Sequence, residues 1–387
     1  MSHPALESTT ASASGGQPLV PSALTLERVL QDGHVADQLW CRLARRQDWC
    51  ALLKLPPEPE AVACWGQQQL SWLGSKRLIQ QLRAIPHHPS TLWGLWLPLQ
   101  LRLERQRRMN GGAALLGLAG VPGMGKTTLS RALLAFAAQR GLRTVVASID
   151  DYYLPLQQRQ AAMAGNPYGI DRGPPGSHDL VLLRRGLERY RQGGVLQLPR
   201  FDKTLEGGRG DRVCVAAMAG DLLLLEGWMV GARPFAVSSA HPWPGATAAE
   251  RRWCERCGRA LMDYRDCWQQ LDGLVLVLPQ RWRQALRWRL QAEARQRRGG
   301  GGAMDGAAIA ALMQGFWGSL PPALAIRPLL DGRGAEACQV SLQGVPAAPH
   351  SAAALQPPVV MTALLDGRRR IVQVGSVAAA LWPGDAP

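Results

Sequence analysis

The chain has 387 residues, 47% of them apolar, which is enough for a large buried core and too apolar for a disordered protein. Its net charge of +15 comes almost wholly from arginines scattered along the chain, with no long basic run, so the excess does not argue for a nucleic-acid or acidic-membrane partner. The eight cysteines are dispersed and the N-terminal "MSHPALESTTASASGG" lacks the charged and apolar regions of a secretory signal, so free thiols and a cytoplasmic location are expected.

Residues 1–22 are rich in Ser, Thr, Ala, Gly and Pro and are expected to be disordered. From 23 to 110 the apolar residues recur with helical period between proline-rich breaks, predicting a helical N-terminal region. "AALLGLAG" (113–120) reads as a buried strand and "TTLSRALLAFAAQRG" as a helix closed by Gly141. "RTVVASID", "DLLLLEGW" (221–228) and "LDGLVLVL" (271–278) are further strands, and "RWRQALRWRLQAEARQRR" (281–298) is a basic helix packed through Trp282, Leu286 and Leu290. Strands alternating with helices predict an α/β fold, a P-loop NTPase-type doubly wound parallel sheet over residues 111–346, with the helical N-terminal region before it. Residues 347–387 read as a C-terminal tail with a hairpin around Asp366-Gly367. No apolar run approaches the roughly 18 residues that span a bilayer, so no membrane partner is expected. Cys254 and Cys257 have C-x-x-C spacing with no second pair to complete a zinc site, and coincidence in a helix explains them better.

"GVPGMGKT" fits G-x-x-x-x-G-K-[ST] between a strand and a helix, the context of a phosphate-binding loop. Gly120, Val121, Pro122, Gly123, Met124, Gly125, Lys126, Thr127 and Thr128 would hold the nucleotide. There the backbone N–H groups and the helix dipole converge on phosphate, Lys126 reaches the β- and γ-phosphates, and Thr127 holds Mg²⁺. Only four lysines occur (Lys54, Lys76, Lys126 and Lys203), and Lys126 and Lys203 fall in the two loops that most invite a functional reading.

"SIDDYYLP" ends the second strand, where ligands of such sheets gather. Asp150 is the candidate base for an acceptor hydroxyl, with Asp151 beside it, although an acid in this position also caps helices. Glu226, ending "LLLLEG", would orient Mg²⁺ through water. "RGPPGSHD" (172–179) reads either as a surface turn or as a rigid loop presenting His178. "PRFDKTLEGGRGDR" (199–212) shows neither the helical nor the strand period and reads as a loop. It offers Arg200, Lys203, Arg209 and Arg212 to a small anionic acceptor. Arg283, Arg287 and Arg289 make the basic helix either a lid over transferring phosphates or a plain basic surface.

Taken together, "GVPGMGKTTL", "SIDDYYL", "RGPPGSHDL", "LPRFDKTLEGGRGDR", "LLLEGWMVG" and "WRLQAE" resemble the D-glycerate 3-kinases, in the phosphoribulokinase/uridine-kinase-like branch of P-loop kinases. The motifs come in family order over roughly residues 113–295. The resemblance implies transfer of the ATP γ-phosphate to D-glycerate, giving 3-phosphoglycerate, with ATP and Mg²⁺ as cofactors. It implies catalytic roles for Lys126, Asp150, Arg287 and Arg289, with the lid over about 280–298. Asp151, Tyr153, His178, Arg200, Lys203, Arg209 and Arg212 fall on the acceptor side, and Thr127 and Glu226 on the metal. It further implies a monomer acting on a small molecule in photorespiratory carbon salvage. Beyond the lid, "GGGGAMDGAAIAALMQGFWGSLPPAL" keeps Met304-Asp305 but lacks the family's tyrosines, and the last forty or so residues have no family counterpart. A kinase of pantothenate, nucleosides or another hydroxy acid is the nearer alternative, and a non-catalytic ATP-binding regulator the more distant one.

Overall fold

The computed structural model describes residues 58–73, 75–85, 87–237, 245–298, 304–330 and 357–375. The expected disordered N-terminus, the first part of the helical region and most of the C-terminal tail lie outside the described residues.

In chain order the elements are α1 (Pro59–Leu73), α2 (Lys76–Arg83), α3 (Leu97–Asn110), β1 (Ala114–Gly120), α4 (Lys126–Gln139) and β2 (Thr144–Ser148). They continue through α5 (Leu156–Ala162), α6 (Leu180–Arg191), β3 (Leu196–Asp202), β4 (Asp211–Met218), β5 (Leu222–Gly227) and α7 (Ala248–Ala260). The last are β6 (Gly273–Pro279), α8 (Arg283–Arg298), α9 (Gly306–Ser319), β7 (Val359–Leu365) and β8 (Ile371–Gly375).

The central sheet runs β2-β5-β1-β6-β7-β8, with every neighbouring pair parallel except β7 and β8. This is the expected α/β sheet, mixed rather than wholly parallel because an antiparallel strand closes one edge. β1 and β6 are buried along their whole length, as strands covered on both faces by helices must be, and this explains their uninterrupted apolar runs. The register sets Ser148 against Glu226 and Gly120 against Val277, so β1, β2, β5 and β6 end along one edge of the sheet.

The N-terminal helices share the core of the sheet rather than forming one of their own. Trp72 of α1 meets Phe136 of α4 edge-on at 5.6 Å, and Glu104 of α3 accepts from Arg140 at 2.9 Å. Leu78, Leu82, Leu99 and Leu103 belong to the same buried cluster as the strands. The hairpin expected around Asp366-Gly367 is present as β7 and β8, and it completes the sheet next to β6 instead of standing apart as a tail.

Three sequence readings are corrected. The stretch 199–212 is not wholly a loop, since Pro199–Asp202 and Asp211–Arg212 are paired strand residues of a two-stranded antiparallel ribbon, β3 with β4. A ribbon with one face exposed needs no buried stripe, so the period test misses it. Trp282, just before α8, and Leu286 pack against the core as expected and are joined by the buried Ala285 and Trp288, whereas Leu290 is 38% exposed. The segment Gly306–Leu330 is long and apolar enough to meet the criterion for a membrane span, against the reading that no run approached it. It folds as α9 and two further helical turns, broken at Pro321 and Pro322, and half of its most apolar window is buried inside the protein.

Candidate active site

The phosphate-binding loop joins the end of β1 to the start of α4. Gly123 (φ 77°) and Gly125 (φ 107°) take left-handed backbone that a β-carbon would strain. At Gly123 a β-carbon would also come within 2.7 Å of the backbone of Trp288 and Arg289, so only glycine lets the loop lie against α8. Val121 and Met124 are buried beneath the loop, while Thr127 is exposed at its mouth. Lys126 Nζ donates to the carbonyl oxygens of Gly120 at 3.1 Å and Val121 at 3.4 Å and lies 3.9 Å from Glu226 Oε2.

Glu226 ends β5 beside this lysine. Its buried Oε2 has no hydrogen-bond partner, and burial pushes its carboxyl up despite the Lys126 charge. A carboxylate oxygen without a hydrogen-bond partner, beside the phosphate loop, fits a hydrated Mg²⁺. Among the described residues no cluster of three His, Cys, Asp or Glu side chains could cage a metal.

Past β2 the chain makes a single 3₁₀ turn over Ile149–Tyr152, which brings the two acids beside the loop. Asp150 accepts from Tyr153 Oη at 2.9 Å and from Lys203 Nζ at 3.1 Å. Burial alone would raise the Asp150 carboxyl, but Lys203, with help from Lys126, outweighs it and holds the group well below the usual carboxylate range. Asp151 faces the ribbon instead, accepting from Phe201 N–H at 3.2 Å and pairing with Arg200 at 3.4 Å, and burial raises its carboxyl. The imidazole of His178 stacks on Tyr153 with ring centroids 4.7 Å apart, is 4% exposed, and is pushed down to about 4 by burial. One sheet edge thus gathers Lys126, Glu226, Asp150, Tyr153, His178 and Lys203.

The remaining candidates divide. Lys203 and Arg209 are exposed on the turn of the ribbon, and Lys203 reaches Asp150 directly. Arg212 has its fork committed, to Asp179 at 3.2 Å and to the Tyr153 carbonyl at 2.8 Å, so it braces the acceptor side rather than standing open for a carboxylate. Arg289 is paired with Glu293 one turn along α8, and Arg287 is exposed near Gly367. Arg289 therefore brings its backbone to the phosphate loop while its side chain is engaged elsewhere.

Three residues escape sequence reading. Arg159 is fully buried, donates to the carbonyls of Leu154, Arg209 and Gly210, and lies over the Phe201 ring at 5.0 Å. It therefore clamps the charged ribbon to the strand end, yet its surroundings in "LQQRQAA" carry no signal. Tyr264, from a 3₁₀ turn after α7, reaches His178 at 2.7 Å. Arg369, at the tip of the C-terminal hairpin, donates to Gly123 O. Arginine at a left-handed turn is the one local hint, and it appears only in the backbone.

No protein-family model matches the chain. It is 32% identical over 209 residues to the uncharacterized kinase mug58 of Schizosaccharomyces pombe, covering 49% of this chain and 74% of that protein. It is also 30% identical over 227 residues to the chloroplastic D-glycerate 3-kinase of Arabidopsis thaliana, covering 54% of this chain but only 48% of that one. Among solved structures it superposes on a D-glycerate 3-kinase from Cryptococcus neoformans with a TM-score of 0.58 at 22% identity, over 75% of this chain and all of that one. The YGR205w protein gives a TM-score of 0.54 at 20% identity, over 71% of this chain and 93% of that one. These two superpositions speak to the fold.

Proposed function

The chain belongs to a kinase family with the mug58 protein of Schizosaccharomyces pombe, and on that premise we propose that it is a P-loop kinase of the D-glycerate 3-kinase type, transferring the ATP γ-phosphate to D-glycerate to give 3-phosphoglycerate. The observation that carries the reading is the Asp150–Lys203 contact at 3.1 Å. It joins a strand-end carboxylate beside the phosphate loop to a cationic ribbon suited to a small hydroxy acid.

In this mechanism the phosphate loop and Lys126 hold the triphosphate for in-line attack, and Asp150 accepts the proton of the attacking hydroxyl. Lys203 and Arg209 draw in the acceptor carboxylate, while Arg200, Arg212 and Arg159 keep the ribbon rigid behind them. Thr127, with Glu226 acting through water, is the pair that would hold Mg²⁺, which when bound neutralises charge on the β- and γ-phosphates. A base held well below the usual carboxylate range suits a loose transition state, in which the proton leaves late and the carboxylate mainly orients the hydroxyl.

The test is ADP release from Mg-ATP by the purified protein with D-glycerate, L-glycerate, pantothenate, uridine or no acceptor, with Lys126→Ala as background. Release selective for D-glycerate supports the proposal. Selective release with pantothenate or uridine would replace the substrate and keep the chemistry, and a flat response with ATP bound would favour a regulatory role.

A further inference from the structure

We infer that Tyr264 is a positioning residue that locks His178 in one tautomer, so that the imidazole offers an Nε2–H donor to the phosphoryl acceptor beside Asp150. The inference rests on the phosphotransfer reading above for the identity of the acceptor, and on geometry alone for the tautomer.

Both residues are buried, Tyr264 completely and His178 to all but 4%. The Tyr264 hydroxyl accepts the Gly176 N–H at 3.0 Å and lies 2.7 Å from His178 Nδ1. A phenolic oxygen has one proton to give, and Nδ1 is the acceptor within its reach. If Nδ1 carried the ring proton, the Tyr264 proton would be buried without an acceptor, a costly arrangement. Ser177 does not alter this, because its hydroxyl is committed to the Pro174 carbonyl at 2.6 Å and stands 3.4 Å from Nδ1. Tyr264 therefore donates, Nδ1 accepts, and the ring proton sits on Nε2.

Nε2 itself is buried with no hydrogen-bond partner. A buried polar atom left this way calls for an explanation, and a ligand supplies one. The ring lies flat against Tyr153, whose hydroxyl donates to Asp150 at 2.9 Å, so the imidazole, the phenol and the base share one shelf at the strand ends. Burial keeps the imidazole neutral near pH 7, so its tautomer rather than its charge decides what it offers. An N–H donor suits a carboxylate or hydroxyl oxygen of a small hydroxy acid, whereas the other tautomer would turn a lone pair toward it.

Ring ¹⁵N NMR of the full-length protein tests the tautomer, with the His178 signals assigned through a His178→Gln variant. Wild type is expected to show protonated Nε2 and unprotonated Nδ1. Tyr264→Phe is expected to give a mixture of tautomers and to raise KM for D-glycerate about tenfold, with KM for ATP unchanged. Should Tyr264→Phe fail to fold, two variants of His178 carry the test: the glutamine amide reaches the Nε2 position and should keep most acceptor affinity, and the asparagine amide reaches only the Nδ1 position and should lose it. A wild-type ring protonated on Nδ1 would overturn the inference. So would an unchanged tautomer and acceptor KM in Tyr264→Phe, or an asparagine variant at least as good as glutamine. A wild-type enzyme that ignores D-glycerate while its ring is protonated on Nε2 would strike the substrate proposal and leave the tautomer standing.

Discussion

The guanidinium of Arg369 donates to the carbonyl oxygen of Gly123 at 3.0 Å, tying the tip of the C-terminal hairpin to a phosphate-binding loop 246 residues earlier in the chain. The same side chain bonds Gln291 Oε1 at 3.0 Å and the Trp288 carbonyl at 3.4 Å, and its guanidinium lies 5.3 Å from the centre of the Trp288 ring. One arginine thus sets the loop against α8. Burial, and then repulsion from Arg295 and Arg287, pulls its pKa down to about 10. Arg369→Ala is expected to raise KM for ATP about tenfold and to leave KM for D-glycerate within about twofold, because one charge-assisted contact is lost on the nucleotide side only. Steady-state kinetics with each substrate varied in turn would show this. Equal rises in both values would mean a general loosening of the site.

Removing the base should separate binding from transfer. Asp150→Asn is expected to bind ATP as wild type does and to lower kcat by about 10²–10⁴. Lys126→Ala should lose ATP-dependent turnover altogether. Calorimetric titration of a non-hydrolysable ATP analogue beside turnover assays distinguishes the two. Transfer that survives in the asparagine variant would take the role from Asp150.

Lys203 should also shape the acid limb of the pH profile. It is the main group holding Asp150 below the usual carboxylate range. In the proposed mechanism transfer needs the ionised carboxylate, so activity should fall as pH drops through the Asp150 pKa. With Lys203→Ala that pKa rises, and the acid limb of kcat/KM should move to higher pH. An acid limb unmoved by the substitution would show that another group controls it.

His178 predicts a loss of stability on the acid side as well. Burial holds its folded-state value near 4, below the 6.5 of an ordinary histidine. Between those values the unfolded chain binds the proton and the native state does not, so stability falls as pH drops from 6.5 toward 4, by about 3 kcal/mol in all. Urea unfolding across that range should show a shallower fall for His178→Gln than for wild type. Parallel curves would mean that the histidine takes up its proton in the native state.

Backbone fit makes the last prediction. Gly123→Ala would force a β-carbon to within 2.7 Å of the α8 backbone at a residue with φ 77°. The expected result is loss of ATP binding with about 1–3 kcal/mol of destabilisation. Thermal unfolding with and without ATP checks it, since a Tm that still rises with ATP would count against the fit.

Much of this protein was legible from residue order alone, because the informative features are local. A glycine-rich loop between a buried strand and a helix fits phosphate through its own backbone, so "GVPGMGKT" named its chemistry without help. Runs such as "LVLVL" are buried on both faces wherever they pair, so the α/β sheet followed too. Only the tertiary structure decided which charges were free. Arg212, Arg200 and Arg289 look equally available in the sequence, yet each is spent on an acid, because pairing a cation depends on what folding brings within about 4 Å. The contact of Arg369 with the phosphate loop, the arginine clamp at Arg159 and the phenol behind His178 were invisible for the same reason. Their partners lie 246, 51 and 86 residues away, and no periodicity or spacing rule records a contact made across the core.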